Sequence, residues 1–330
     1  MKLRFTTCAL LLLAGVVSAQ YAGVRRVQLL DYPDCLELSN ETTRVVIGWH
    51  VGGRVLSYQL NGREALFLDP AERDWRTAKR PLVTAGRFDI GPEYLVPRRD
   101  VLWSGQWRTE ILDARHVRVL SQPDAATGVR LVREFKLAAD SSRLSCRQII
   151  INTSDQTRRW CHWSRTFARH GGIAIVPLDE HGKFPHGYVM YEDRGLINAR
   201  PKDPNIEKVG DFLLIKPVPA FPKLGFDGMA GWMAYQTTND LLFIKRFATY
   251  PDRPYNEVAG LTLSVWYPPA EKVNAVELEP IGPRNEIAPG QRAEFTEHWE
   301  LEQRRAHYPL TEKELRQMAL RFGTPPPATN

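Results

Sequence analysis

Cysteine is scarce: the 330 residues hold four, far too few for a disulfide scaffold. No Cys-x-x-Cys and no His-Glu-x-x-His occurs, so neither a metal nor another cofactor is expected. Long apolar runs are missing apart from Cys8 to Val17, which is too short to cross a membrane. Long basic runs are missing too. The 44 Lys and Arg against 38 Asp and Glu leave +6, spread as single arginines, so no nucleic-acid partner is expected. Gly 23 and Pro 24 are too few for a fibrous chain, while 43% hydrophobic and 10% aromatic residues are too many for a disordered one. The alternation of strand and helix that marks a Rossmann or TIM fold is also absent.

What is present begins with a leader. Lys2 and Arg4 precede the apolar run, and Val17-Ser18-Ala19 supplies small residues at a cleavage site. This pattern predicts a secretory signal peptide over residues 1–19, hence a secreted or periplasmic protein. Export permits disulfides, but Cys35, Cys146 and Cys161 are an odd set, so at least one thiol stays free or pairs between chains. Cys146 lies in an alternating run and reads as buried and inert.

The dominant period is two. Arg44–Trp49, Arg130–Leu137 and Leu144–Ile151 alternate as strands do, and further strands are expected over Met229–Gln236, Leu241–Phe247, Leu261–Tyr267, Ala275–Leu278 and Ala293–Leu301. Asn61-Gly62 is the strongest hairpin signal, because both residues tolerate the positive φ of a type I′ turn. One helix is expected. Thr311 and Glu314 form a capping box, Leu315, Met318, Ala319 and Phe322 make an apolar stripe, and Gly323 ends it before Pro325-Pro326-Pro327. The last few residues are expected to be disordered. Residues 177 to 223 read as long ordered loops, where sites are usually built. The chain is thus divided into a leader (1–19), one β-sandwich domain (20–308), and a C-terminal helix with its tail (309–330).

Several strings then resemble known ones. Trp49-His50-Val51-Gly52-Gly53-Arg54-Val55-Leu56-Ser57-Tyr58, followed by Asn61-Gly62, resembles the opening hairpin of galactose mutarotase-like (aldose 1-epimerase-like) proteins. Ile287-Ala288-Pro289-Gly290-Gln291 and Thr296-Glu297-His298-Trp299-Glu300-Leu301 resemble that family's closing hairpin, with Gln291 in place of the usual Glu. Ala230 to Tyr235 and Glu277 to Pro283 resemble the DUF4380-like exported branch. The resemblance spans about Leu38 to Leu301. It implies an all-β fold, a β-supersandwich of two large antiparallel sheets, with a cleft for a sugar or oligosaccharide.

The same resemblance implies site residues. His162 follows Asn152-Thr153-Ser154-Asp155 at the distance of the family's catalytic His, although Cys161 replaces the preceding Asn. Leu278-Glu279-Pro280 matches the string that carries the family's base, and Arg87 falls where the family has a sugar-contacting Arg. The implied catalytic pair is therefore His162 as acid and Glu279 as base, since mutarotation needs one proton given and one taken. Glu277 shares the strand face of Glu279, with Val276 and Leu278 toward the core. Two carboxylates on one face can raise one pKa. Arg54, Arg87, Trp160, Trp232 and Glu277 complete the expected substrate-binding set. Trp160 shares a face with His162, while Trp163 points the other way. Simpler roles compete: a structural histidine for His162, a solvated strand face for the two Glu, core packing for each Trp. Three functions stay open. They are an aldose 1-epimerase-like enzyme, a non-catalytic carbohydrate-binding protein, and a carbohydrate-active lyase or hydrolase on the same fold.

Overall fold

The period-two runs become antiparallel strands throughout, and the strands assemble into two sheets laid face to face. The computed structural model describes residues 21–323 apart from 80, 180, 181, 194 and 195. The expected leader, the loop residue His181 and the Pro-rich tail lie outside the described residues.

The larger sheet has 13 strands among the described residues and the smaller has 10. The middle of the larger sheet runs Gly86–Gly91, Arg158–Arg169, Ala275–Pro280, Leu263–Trp266, Lys223–Phe226 and Val189–Asp193, each hydrogen-bonded to the next. Between the sheets lies one continuous core that includes Val55, Phe88, Ile90, Phe135, Phe243, Leu278 and Trp299. Alternation gives each strand of the larger sheet one face toward that core and one away from it.

The expected elements are present with small changes of boundary. Strands occupy Thr43–Gly48, Val129–Leu137, Leu144–Asn152, Trp232–Gln236, Leu241–Phe247, Leu263–Trp266, Ala275–Pro280 and Arg292–Gln303. Asn61 and Gly62 take φ of 49° and 76°, as the hairpin turn requires. Thr311 caps the helix Glu312–Phe322 with both bonds of the capping box formed. Its Leu315, Met318 and Phe322 cover Trp232, Phe212, Leu214 and Ile244 on the outer face of the smaller sheet. The stripe therefore closes the back of the sandwich.

Residues 177 to 223 correct the sequence reading. Val189–Asp193, Leu196–Asn198, Ile206–Val209 and Phe212–Ile215 are strands of three to five residues that extend the ends of both sheets. They are too short to show a period against the surrounding Pro and charge. Cys35, Cys146 and Cys161 are all buried and unpaired, and burial raises the pKa of each thiol. Among the described residues no helix is long and apolar enough to cross a membrane.

Candidate functional site

Three neighbouring strands carry the charged constellation on the outward face of the larger sheet. Asp89 pairs with Trp163 and Arg87 with Arg165 across one strand boundary. Phe167 pairs with Glu277 across the next, and Glu279 faces Ser264. By alternation Arg87, Asp89, Trp163, Arg165, Glu277 and Glu279 point the same way, while Ile90, His162, Ser164 and Leu278 point into the core. Gly91 has a packing role here. A Cβ on it would come within 2.8 Å of the Trp163 ring and 3.0 Å of the Cys161 sulfur, so only glycine lets Trp163 lie across it.

Arg165 sits at the centre. Its Nε lies 3.1 Å from Glu277 and 3.8 Å from Glu279, and its Nη atoms lie 4.0 Å from Asp89 and 3.8 Å from Glu93. Arg87 donates to Glu277 at 2.8 Å. Arg99 makes a two-bond pair with Asp89. Lys223 donates to Glu93 at 2.5 Å and lies 5.2 Å over both the Trp163 and Tyr191 rings. The short helix Asp100–Trp103 brings Trp103 above these groups. Its ring receives the guanidiniums of Arg87, Arg99 and Arg165 at 3.9, 5.2 and 5.6 Å. A cavity of about 390 Å³ opens here, walled by Pro81, Glu93, Arg98, Arg99, Trp103 and Arg165.

The two strand carboxylates are fully buried and differ in charge. Burial would raise the pKa of Glu277, but Arg165 and Arg87 hold it below the usual carboxylate range. Glu279 is driven well above that range, first by burial and then by the charge of Glu277. Neither Glu279 oxygen accepts a hydrogen bond from another residue, although the protonated acid reaches Glu277, and the buried Tyr191 hydroxyl has no hydrogen-bond partner. Burial, with Arg165 next, lowers Arg87 to about 10. Behind the Arg165 guanidinium that walls the cavity, a carboxyl group of raised pKa therefore stands beside one of lowered pKa. Such a pair gives a proton at one atom and takes one at the next.

The expected site residues separate. Arg87, Glu277 and Glu279 come together. His162 does not join them, because its register partner is Ile90 and its ring stacks 5.8 Å from Phe295 of the opposite sheet. Both of its nitrogens lack a well-formed hydrogen bond, and burial lowers its pKa to about 3. Strand parity thus puts His162 and Glu279 on opposite faces of the larger sheet. Arg54 shares the outward face with Arg87 but is sealed under the turn Pro70–Asp74. There it pairs with Glu72 and bonds Tyr32, Val51 and Thr84. Trp160 packs against the inter-sheet core and donates to the Thr127 carbonyl at 3.2 Å. Trp232 lies under the C-terminal helix on the far side of the molecule. Sequence reasoning missed Arg165, Asp89, Arg99, Trp103, Lys223 and Glu93. Among the described residues no group of three or more His, Cys, Asp or Glu is placed to hold a metal ion.

The architecture is that of galactose mutarotase-like proteins. Similar solved structures include a galactose mutarotase-like protein from Lactobacillus casei, with TM-score 0.57 and 11% identity over 81% of this chain and 100% of that one. A galactose mutarotase related enzyme from Lactobacillus acidophilus gives 0.57 and 12% over 84% and 100%. A candidate aldose 1-epimerase from Escherichia coli K12 gives 0.54 and 12% over 81% and 98%. No protein-family model matches the chain, and no curated protein sequence does either. The narrower resemblance to the DUF4380-like branch rests on its strings alone.

Proposed function

We propose that the cleft beneath Trp103 binds a carbohydrate. One observation carries the reading: an aromatic ring and two guanidinium forks wall one cavity of the outward face, and a buried carboxyl pair lies directly behind Arg165. Sugar rings ask for these groups. The flat ring of Trp103 takes the C–H side, and Arg99 and Arg165 offer planar donors to hydroxyls. The similar structures are of mutarotase-like proteins and a candidate aldose 1-epimerase, which agrees with a sugar ligand. The leader pattern supports export, with the mature chain beginning near Gln20. N-terminal sequencing of protein from the native host tests this, and an intact Met1 overturns it.

Calorimetry against a panel of free sugars tests the binding. A sugar should bind, and Trp103→Ala should weaken it roughly tenfold, the upper end of what an aromatic face contributes beyond buried area. Absence of binding to any sugar, neutral or acidic, refutes the reading.

Interconversion of sugar anomers is the second reading, favoured by the unlike protonation of Glu279 and Glu277. At rest Glu279 holds the proton, so it takes the acid role, giving the proton to the ring oxygen as the C1–O5 bond opens. Glu277 takes the proton of the anomeric hydroxyl. Both act only once a bound sugar draws the Arg165 head aside. Glu279→Gln should then lower kcat by about 10²–10⁴-fold with little change in KM. The assay is polarimetric relaxation of a freshly dissolved pure anomer. If the native protein does not speed relaxation of a sugar that it binds, the catalytic reading falls and the binding reading remains.

A further inference from the structure

We infer that the ligand of this cleft is an acidic sugar, a uronic acid or an oligouronide, whose carboxylate takes the place of Glu93 between Lys223 and Arg165. The inference rests on the carbohydrate-binding reading and adds the charge of the ligand.

Among the described residues, Glu93 is the carboxylate that neutralises the cations at the cleft mouth. The cations Arg87, Arg98, Arg99, Arg165 and Lys223 stand against the carboxylates Asp89, Glu93, Asp100, Glu257 and Glu277. Glu279 stands apart from these, since burial and then the charge of Glu277 raise its pKa well above the usual carboxylate range. The carboxylates are not equivalent. Asp89 and Glu277 project from central strands and are closed off. Asp100 is held by Arg98 at the rim, and Glu257 accepts the backbone N–H of Glu93. Glu93 lies on the loop after the Gly91–Gly86 strand end, is about one-third exposed (33%), and lines the cavity directly. It spans the mouth between Lys223 and Arg165.

A ligand that seats between Lys223 and Arg165 displaces Glu93 from both. A neutral sugar would leave two largely buried cations short of one negative charge, and an unpaired buried charge is costly. A ligand carboxylate restores the balance, and the planar head of Arg165 suits its two oxygens. The same loop carries Tyr94 and Leu95, exposed at 53% and 75%. They offer an apolar face to the next ring of an oligomer. A sugar phosphate has the same sign of charge, so it belongs in the test.

The experiment is isothermal titration calorimetry at neutral pH and low salt. The ligands are galacturonate against galactose, glucuronate against glucose, trigalacturonate, and glucose 6-phosphate. At least one uronate should bind tenfold or more tighter than its neutral counterpart, and the preference should shrink as salt is added. Lys223→Met should abolish the preference. Glu93→Gln should tighten uronate binding several-fold, because the internal competitor is gone. Equal or tighter binding of the neutral sugars, or tightest binding of glucose 6-phosphate, overturns the acidic-sugar inference and leaves the carbohydrate reading standing. No binding across the panel overturns both. If Lys223→Met does not fold, Glu93→Gln at its part-exposed loop position decides alone: unchanged uronate affinity refutes the exchange.

Discussion

Glu277 and Glu279 stand two residues apart on one strand face, yet folding pushes their proton affinities in opposite directions. The pKa of Glu279 is raised on folding, so the native state holds a proton that the unfolded chain releases. The stability tied to that proton is whole below the unfolded pKa and falls as pH rises toward the folded one. Glu279→Gln removes this slope. Its stability relative to the native protein should grow as pH rises above the ordinary carboxylate range, as urea unfolding at pH 5 and pH 8 would measure. Glu277 behaves in reverse, its contribution being present at neutral pH and lost in acid. Glu277→Gln strips Arg87 and Arg165 of their shared anion and should cost about 3–5 kcal/mol at pH 7. His162 and His50, lowered by burial to about 3 and about 4, stabilise above pH 6.5 and lose that contribution as pH falls toward their folded values. Thermal melts of His162→Phe should therefore show less loss between pH 7 and pH 4 than the native protein, with sugar affinity unchanged. The alternation at Val276-Glu277-Leu278-Glu279 was legible, because an apolar residue separates two charged ones. The outward side of Arg158–Arg169 was not. Both of its faces are buried in the middle of a sheet, so polarity does not distinguish His162 from Trp163 and Arg165.

Among the elements, the C-terminal helix was the most legible, since its cap, stripe and stop are all local signals. Each part carries a separate expectation in urea unfolding. Thr311→Ala breaks the capping box and should cost about 1 kcal/mol. Leu315→Ala opens a cavity against Trp232 and its neighbours and should cost about 2–5 kcal/mol. Leu320, at 82% exposure, tolerates lysine with a change of less than about 0.5 kcal/mol. The helix Asp100–Trp103 had no legible signal. It has four residues and no side-chain cap, and it is held by what Trp103 covers. The six site residues that the sequence did not disclose lie on this helix, on the loop before it, or on central strands. Their meaning comes from pairing across strands far apart in the chain.

At the scale of the molecule, the two sheets enclose a second charged group on the inner side of the larger sheet. Lys245 of the smaller sheet is wholly buried, with its Nζ 3.2 Å from Glu297 and donating to Ser164, Thr166 and the Leu278 carbonyl of the larger sheet. Gln148 and Trp299 also donate to Glu297. Lys245→Met leaves that carboxylate short of its cation and should cost about 3–5 kcal/mol, whereas adding Glu297→Gln should recover part of the loss in a double-mutant cycle. The strand pattern predicted two sheets, but which faces meet is set by such long-range contacts. The nine tryptophans are distributed through this architecture, and only Trp103 lines the cavity. Its ring lies over three guanidiniums, one of which has to shift when the cleft fills. Indole emission responds to adjacent charge, so this side chain makes the protein its own optical gauge of occupancy, with no label attached. The change in fluorescence on saturation should vanish in Trp103→Phe.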